Sequence, residues 1–176
     1  MQIETKKLFL RKLTPSDVSQ HYVDWLNDVE INMYLETRHV HQTLDSCITF
    51  VEACNQDVSA HLFGMFLKAN GQHIGNIKIG FINEVYKRGE ISLFIGAKEH
   101  WGKGLGTEAV KALSKFSKEF LGLNKIEAGC YEDNFGSLRI FLKSGYVVEG
   151  FRPAHVVRND IPLGCFLLGL LTNECK

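Results

Sequence analysis

Glu90-Ile91-Ser92-Leu93-Phe94-Ile95-Gly96, then Trp101-Gly102-Lys103-Gly104-Leu105-Gly106, then a helical pattern from Thr107 to Leu121: this stretch decides the fold. The first segment is apolar and strand-like, and the second is a glycine-rich turn. The third carries Ala109, Val110, Leu113, Phe116 and Phe120 at helical spacing, with Gly122 as its stop. A strand that runs through such a turn into a helix N-terminus presents unpaired N–H groups and the positive end of the helix dipole. It can therefore hold a phosphate-bearing ligand. A Walker loop is excluded, because Gly104 rather than Ser or Thr follows Lys103. A dinucleotide fingerprint is a poor match, because the glycines read G-x-G-x-G and lie past the middle of the chain.

Elements can be read outward from there. Leu8 to Leu13 is a strand, and Thr14-Pro15-Ser16-Asp17 has the residues of a helix start, with Val18, Tyr22, Trp25 and Leu26 following at helical spacing. A second helix is expected from Thr43 to Asn55, on the face of Leu44, Cys47, Ile48, Val51 and Cys54. Strands follow from His61 to Lys68 and from His73 to Ile82, with a turn at Asn70-Gly71 between them. Lys125 to Tyr131 is a strand, Ser137 to Ser144 a short helix, and Val147–Gly150 and Leu163–Leu171 the last two strands. The order βααβββαβαββ is that of an α+β or mixed α/β domain with about seven strands and four helices, filling residues 1–176 as one unit.

Composition narrows the function. The 176 residues are 45% hydrophobic and 23% charged, with zero formal net charge, so no basic footprint for nucleic acid is expected. The cysteines Cys47, Cys54, Cys130, Cys165 and Cys175 are odd in number without a C-x-x-C pair, which fits a reducing cytoplasm better than a disulfide framework. His61, His73 and His100 lack metal-ligand spacing, and no metal is expected. The apolar run from Ile161 to Leu171 is too short to span a bilayer and reads as a buried strand.

The loop Trp101-Gly102-Lys103-Gly104-Leu105-Gly106 closely resembles the acetyl-CoA loop Q/R-x-x-G-x-G/A of the GNAT N-acetyltransferases, with Trp in the first position. Leu10-Arg11-Lys12-Leu13, Asp17, Trp25-Leu26-Asn27-Asp28, Asn134-x-x-Ser137 and Phe141-x-Lys143-x-Gly145-Tyr146 agree in the expected order. Trp-Gly-Lys-Gly is similar to the branch containing the ribosomal-protein alanine, spermidine and amino-sugar N-acetyltransferases. The resemblance implies a sheet whose fourth and fifth strands splay apart around the pantetheine arm of acetyl-CoA, the co-substrate. Phe94, Ile95 and Gly96 would then pair with pantetheine through their backbone. Gly102, Lys103, Gly104, Leu105, Gly106 and Thr107 would hold the pyrophosphate, and Asn134 the CoA arm. The resemblance also allows a homodimer.

Acetyl transfer needs a neutral amine, an oxyanion site and a proton for the leaving thiolate. The tyrosine acid of many GNATs falls on Phe141, which has no proton to give. Ser137 takes the acid's place in this branch, and as a residue near a helix start it would equally serve as an N-cap. Tyr131 and Tyr146 are the fallback acids. The position of the base found in some relatives falls on Gly129, leaving Glu90, which could instead be a salt-bridged strand end beside Arg88; Glu132 and Asp133 rank behind it. A weak base suits an amine titrating at about 7.7–8.0 better than a lysine at about 10.4. Asp24, Asp28, Glu30 and Glu36 would suit a cationic amine, whereas Arg38, His39, His41, Lys78, Lys87 and Arg88 would suit the diphosphate of a nucleotide-linked one. The acceptor expected first is an amino sugar or its nucleotide. A polyamine, a ribosomal-protein N-terminus and a non-catalytic CoA-binding module remain as alternatives.

Overall fold

In the computed structural model, which describes residues 2–174, the strands form one sheet. The chain enters through β1 (Gln2–Glu4) and β2 (Leu8–Lys12), then passes through α1 (Gln20–Asn27), α2 (Val29–Asn32) and α3 (Leu44–Gln56). The antiparallel run β3 (His61–Leu67), β4 (His73–Asn83) and β5 (Arg88–Ile95) follows. Next come α4 (Leu105–Glu119), β6 (Lys125–Tyr131), α5 (Phe135–Lys143) and the hairpin of β7 (Val147–Arg158) and β8 (Ile161–Leu171). The sheet order is β1-β2-β3-β4-β5-β6-β8-β7. Beyond the expected elements it gains the short β1 and the single-turn α2. Among the described residues no helix is long and apolar enough to cross a membrane.

Alternation along the strands assigns the two faces. Phe63 pairs with Ile77 and Ile77 with Leu93, and Phe63 meets Phe116 of α4 at 5.8 Å, so α4 covers that face. The next residue, Phe94, stacks on Tyr22 of α1 at 6.2 Å, so α1 and its neighbours cover the other. Ala109, Val110, Leu113 and Phe116 of α4 are buried as expected, but Phe120 is 74% exposed. Phe120 follows the last helical residue, so the stripe no longer governs its direction.

Several boundaries differ from the sequence reading; β5, α4 and β8 each begin two residues early, at Arg88, Leu105 and Ile161. Thr14 and Asp17 do form a reciprocal cap, but around a single 3-10 turn at Pro15–Asp17. The chain then extends at Val18, and Ser19 caps α1 through the Tyr22 N–H. The α5 helix starts at Phe135, capped by the Asn134 side chain, so Ser137 sits inside the first turn and is not the cap. The β7 strand runs on to Arg158, past Pro153. A sheet-edge position and a register shift between Arg152 and Val156 accommodate the missing N–H. Asn159 and Asp160 both take positive φ (51° and 62°), the pair needed for a tight hairpin turn into β8. Cys47, Cys54, Cys130 and Cys165 are buried free thiols, and Cys175 lies outside the described residues.

Every neighbouring pair is antiparallel except β5 with β6. Those two run parallel through only Arg88↔Lys125, Gly89↔Ile126 and Glu90↔Glu127. Beyond this, β5 stays paired with β4 as far as Gly75↔Ile95, and β6 with β8 as far as Tyr131↔Cys165. Each strand thus remains in the sheet through its outer edge while the inner edges separate into a cleft.

Asp17 ties β2 to this layer by accepting from Arg11 Nη1 at 2.7 Å and Nη2 at 2.5 Å. Burial pushes its carboxyl up, but the bonds from Arg11 and Thr14 outweigh that and bring it down to about 2. A depressed carboxyl stabilises the fold above its unfolded value and loses that contribution as pH falls through the folded one. Asp17→Asn is therefore expected to lower stability by about 1–2 kcal/mol at neutral pH. The gap from the parent, followed by thermal denaturation, should close between pH 5 and about 2.

Candidate active site

The glycines of the loop have two separate reasons. Gly102 and Gly104 have φ of 73° and 80° with open space where a Cβ would stand, so they are there for backbone conformation. At Gly106 a Cβ would lie 2.7 Å from Ile140 of α5, and at Gly96 it would lie 2.0 Å from the Trp25 ring. Those two are packing glycines. Gly104 is the N-cap of α4 and offers no side chain. The N–H groups of Gly102 to Thr107 consequently have no acceptor among the described residues, and the positive end of a 15-residue helix lies behind them. The indole Nε1 of Trp101 donates to the Ile95 carbonyl at 2.8 Å, which pins the loop to the end of β5. This bond gives a physical reason for Trp at the loop's first position.

On the α4 side of the cleft, the Asn134 Oδ1 accepts from the Ser137 N–H at 3.0 Å. Among the described residues its amide nitrogen has no partner. The Ser137 hydroxyl, in the same turn, is half-buried and likewise without a partner among them. Phe141 is buried against Tyr146 at 5.0 Å. The Tyr146 hydroxyl is shared with Ser114 at 3.0 Å within the core, which removes Tyr146 from the candidate acids.

Glu90 stands at the last paired rung, opposite Glu127, where the cleft opens. Arg88 ignores it and pairs with Glu127 at 2.7 Å, so the salt-bridged strand end expected from sequence is Glu127 instead. Glu90 is half-buried and has no hydrogen-bond or ion-pair partner among the described residues. Burial first, and Glu127 second, raise its carboxyl above the ordinary value. By strand alternation Glu90 and Ser92 share the α1–α3 face with Lys78, Gly129 and Tyr131. Gly129 adds no side chain there, and the nearest atom to where its Cβ would stand is Cys165 Sγ at 3.6 Å.

The acids of the helical layer are largely engaged. Lys98 binds Asp28 at 2.9 Å and Glu30 at 2.6 Å. Glu36 accepts from the Tyr131 hydroxyl, which in turn accepts from Arg38 Nη1 at 2.9 Å. Arg38 also holds the Leu35 carbonyl at 2.9 Å, and its side chain is 12% exposed. Next to it, Tyr34 donates to the Asp133 carbonyl at 3.3 Å and Asp133 pairs with Arg158. This bridge from the turn Glu36–His39 to β6 and β7 forms one wall of the α1–α3 side of the cleft. His73 is structural: its Nε2 lies 2.8 Å from Asn76 Oδ1, and the ring stacks on Phe66 at 4.8 Å.

The sheet thus splays beyond Glu90, with unpaired loop N–H groups at its mouth and a half-buried carboxyl at its apex. The family model described as an acetyltransferase (GNAT) domain matches residues 7–147, most of the chain, which therefore belongs to the GNAT acetyltransferases. The uncharacterised N-acetyltransferase YoaA of Bacillus subtilis is 26% identical over 163 residues, covering 91% of this chain and 90% of that protein. The acetyltransferase PseH of Campylobacter jejuni is 27% identical over 124 residues, 70% of this chain and 73% of that one. The spermidine N-acetyltransferase from Vibrio cholerae, solved with CoA and spermine, has the same fold, with a TM-score of 0.85 at 21% identity over 95% of this chain and 96% of that one. The protein is an acetyl-CoA-dependent N-acetyltransferase.

The two kinds of glycine separate in a denaturation experiment. Gly96→Ala must displace the Trp25 ring and is expected to cost about 2–3 kcal/mol. Gly102→Ala meets only the backbone penalty and is expected to cost about 1 kcal/mol.

Proposed function

We propose that the enzyme acetylates the primary amine of an amino sugar, free or phosphate-linked, with Glu90 as base and Ser137 as acid. The observation that carries the catalytic reading is the position of Glu90: unpartnered, half-buried and at the apex where β5 and β6 part. The neutral amine attacks the thioester carbonyl. Its proton passes to Glu90, directly or through one water, and the departing thiolate takes the Ser137 hydroxyl proton as the hydroxyl is reprotonated from solvent. Phe94, Ile95 and Gly96 receive the pantetheine as an added strand. The N–H groups from Gly102 to Thr107 receive the pyrophosphate, with Lys103 adding charge from the loop. The Asn134 amide donates to the pantetheine arm.

The acceptor reading rests on charge. A polycation would need free carboxylates, and Asp28, Glu30 and Glu36 already have cationic partners. Lys78 and Arg152 lie on the same face with no carboxylate partner among the described residues, which favours an amine carrying an anionic group. Thiol release from acetyl-CoA, measured against amino sugars, their phosphates and nucleotides, polyamines and peptides, tests this. Amino sugars should head the panel, and a strict preference for spermidine would contradict the reading.

Glu90→Gln should lower turnover by about 10²–10⁴-fold and abolish the acidic limb of the pH–rate profile. A raised carboxyl costs stability as pH rises from its ordinary value through its folded one, so the same variant should melt higher than the parent at neutral pH. That advantage should vanish below the ordinary carboxylate range. Ser137→Ala should lower turnover by about 10²–10⁴-fold with CoA affinity retained. Because Asn134 holds the cap, its stability should change by less than about 0.5 kcal/mol.

A further inference from the structure

One residue beyond the apex, β4 adopts a conformation that its own packing does not explain. The register between β4 and β5 shifts between Gly80 and Asn83, and inside that bulge Phe81 takes φ of 51°. A bulky aromatic residue there is an outlier. Its ring is 75% exposed, so core burial does not offset the strain. Lys78, two residues earlier, shares the face of Glu90, because Lys78 opposes Ser92 and Gly80 opposes Glu90. Its stem lies across Gly80, where a Cβ would come within 3.3 Å of it. The Lys78 ammonium sits 5.9 Å from the Phe81 ring centre and 5.9 Å from that of Phe50, an α3 residue that is 44% exposed. No carboxylate pairs with Lys78 among the described residues.

We propose that Phe50, Phe81 and Lys78 form an acceptor subsite for a phosphorylated amino sugar: the rings meet the apolar face of the sugar and the ammonium holds its phosphate. The chemistry supports this occupant. Two exposed rings offer flat apolar area at little entropic cost, and an unpaired ammonium beside them suits a phosphate as a point charge. The bulge aims Phe81 toward the neighbours of Glu90, so a sugar bound there keeps its amine close to the carboxyl. A sugar 1-phosphate and the sugar end of a nucleotide-linked sugar present the same chemistry. This inference rests on Glu90 marking the reacting end of the acceptor, as proposed above.

Phe81→Gly separates recognition from structure, because glycine relieves the positive φ. The variant should melt at or above the parent temperature while KM for glucosamine 1-phosphate rises about tenfold, the scale of one aromatic contact. Its kcat and CoA affinity should hold within about twofold. Phe50→Ala should raise the same KM. Lys78→Met should erase the preference for glucosamine 1-phosphate over glucosamine, with spermidine unaffected in all three variants. An unchanged KM in Phe81→Gly, or an equal loss of CoA affinity, would overturn the subsite. If the parent acetylates neither sugar, the proposed acceptor class fails on its own. Saturation-transfer NMR on the CoA-loaded protein then decides the subsite: glucosamine 1-phosphate binding that is lost in Phe81→Gly supports it, and no binding to the parent overturns it. The nucleotide-linked source is distinguished by titrating UDP-glucosamine, whose tighter binding should remain sensitive to Lys78→Met.

Discussion

The whole site depends on a pairing that stops. The β5 and β6 strands share three rungs, ending at Glu90↔Glu127, and each then follows its outer neighbour. Leaving backbone N–H and C=O groups unpaired at the centre of a sheet costs free energy unless another partner supplies the bonds. On the reading proposed above, the inner edges of residues 91–94 and 128–131 receive an extended ligand, the Ile95 carbonyl being already held by Trp101. The same divergence sets Glu90 at the apex, where burial first and Glu127 second raise its carboxyl.

The elements around the cleft serve that geometry. The loop from Trp101 to Gly106 is locked to the end of β5 by the indole bond to Ile95, so its free N–H groups stand at the mouth of the cleft. Packing of Gly106 against Ile140 brings the α4 start and α5 together, which sets Asn134 and Ser137 on the α4 side of the opening. On the α1–α3 side, the Glu36–Tyr131–Arg38 bridge joins the helical layer to β6. In the proposed function one ligand approaches along the loop and the other from the helical layer, and they meet at the apex. Cofactor recognition would then depend mainly on backbone groups and acceptor recognition on side chains. That division is consistent with one fold accepting different amines.

Much of this was legible in the sequence because it is local. The strand, the glycine loop and the amphipathic helix each follow from residues within a few positions, and Asn134 announces its turn in the same way. Features set by distant partners were not legible. The register of the parallel pair joins residues 88–90 to residues 125–127 and leaves no local mark. The Tyr131 bond to Glu36 spans 95 positions. Pro153 reads as a strand end, yet a sheet edge tolerates it, so β7 is longer than its local pattern suggests. Thr14 has the chemistry of a helix cap, while the helix itself begins one turn later, behind Ser19. Phe81 carries no sequence signal, since its positive φ belongs to a register shift against β5.

The central claim is that the unpaired inner edge of β5 and the loop beyond it receive acetyl-CoA. Amide hydrogen exchange, measured residue by residue with and without acetyl-CoA, addresses it most directly. The account predicts slowed exchange within residues 91–96 and 102–107, with little change in β1 to β3. Unchanged exchange in both segments at saturating acetyl-CoA would contradict it.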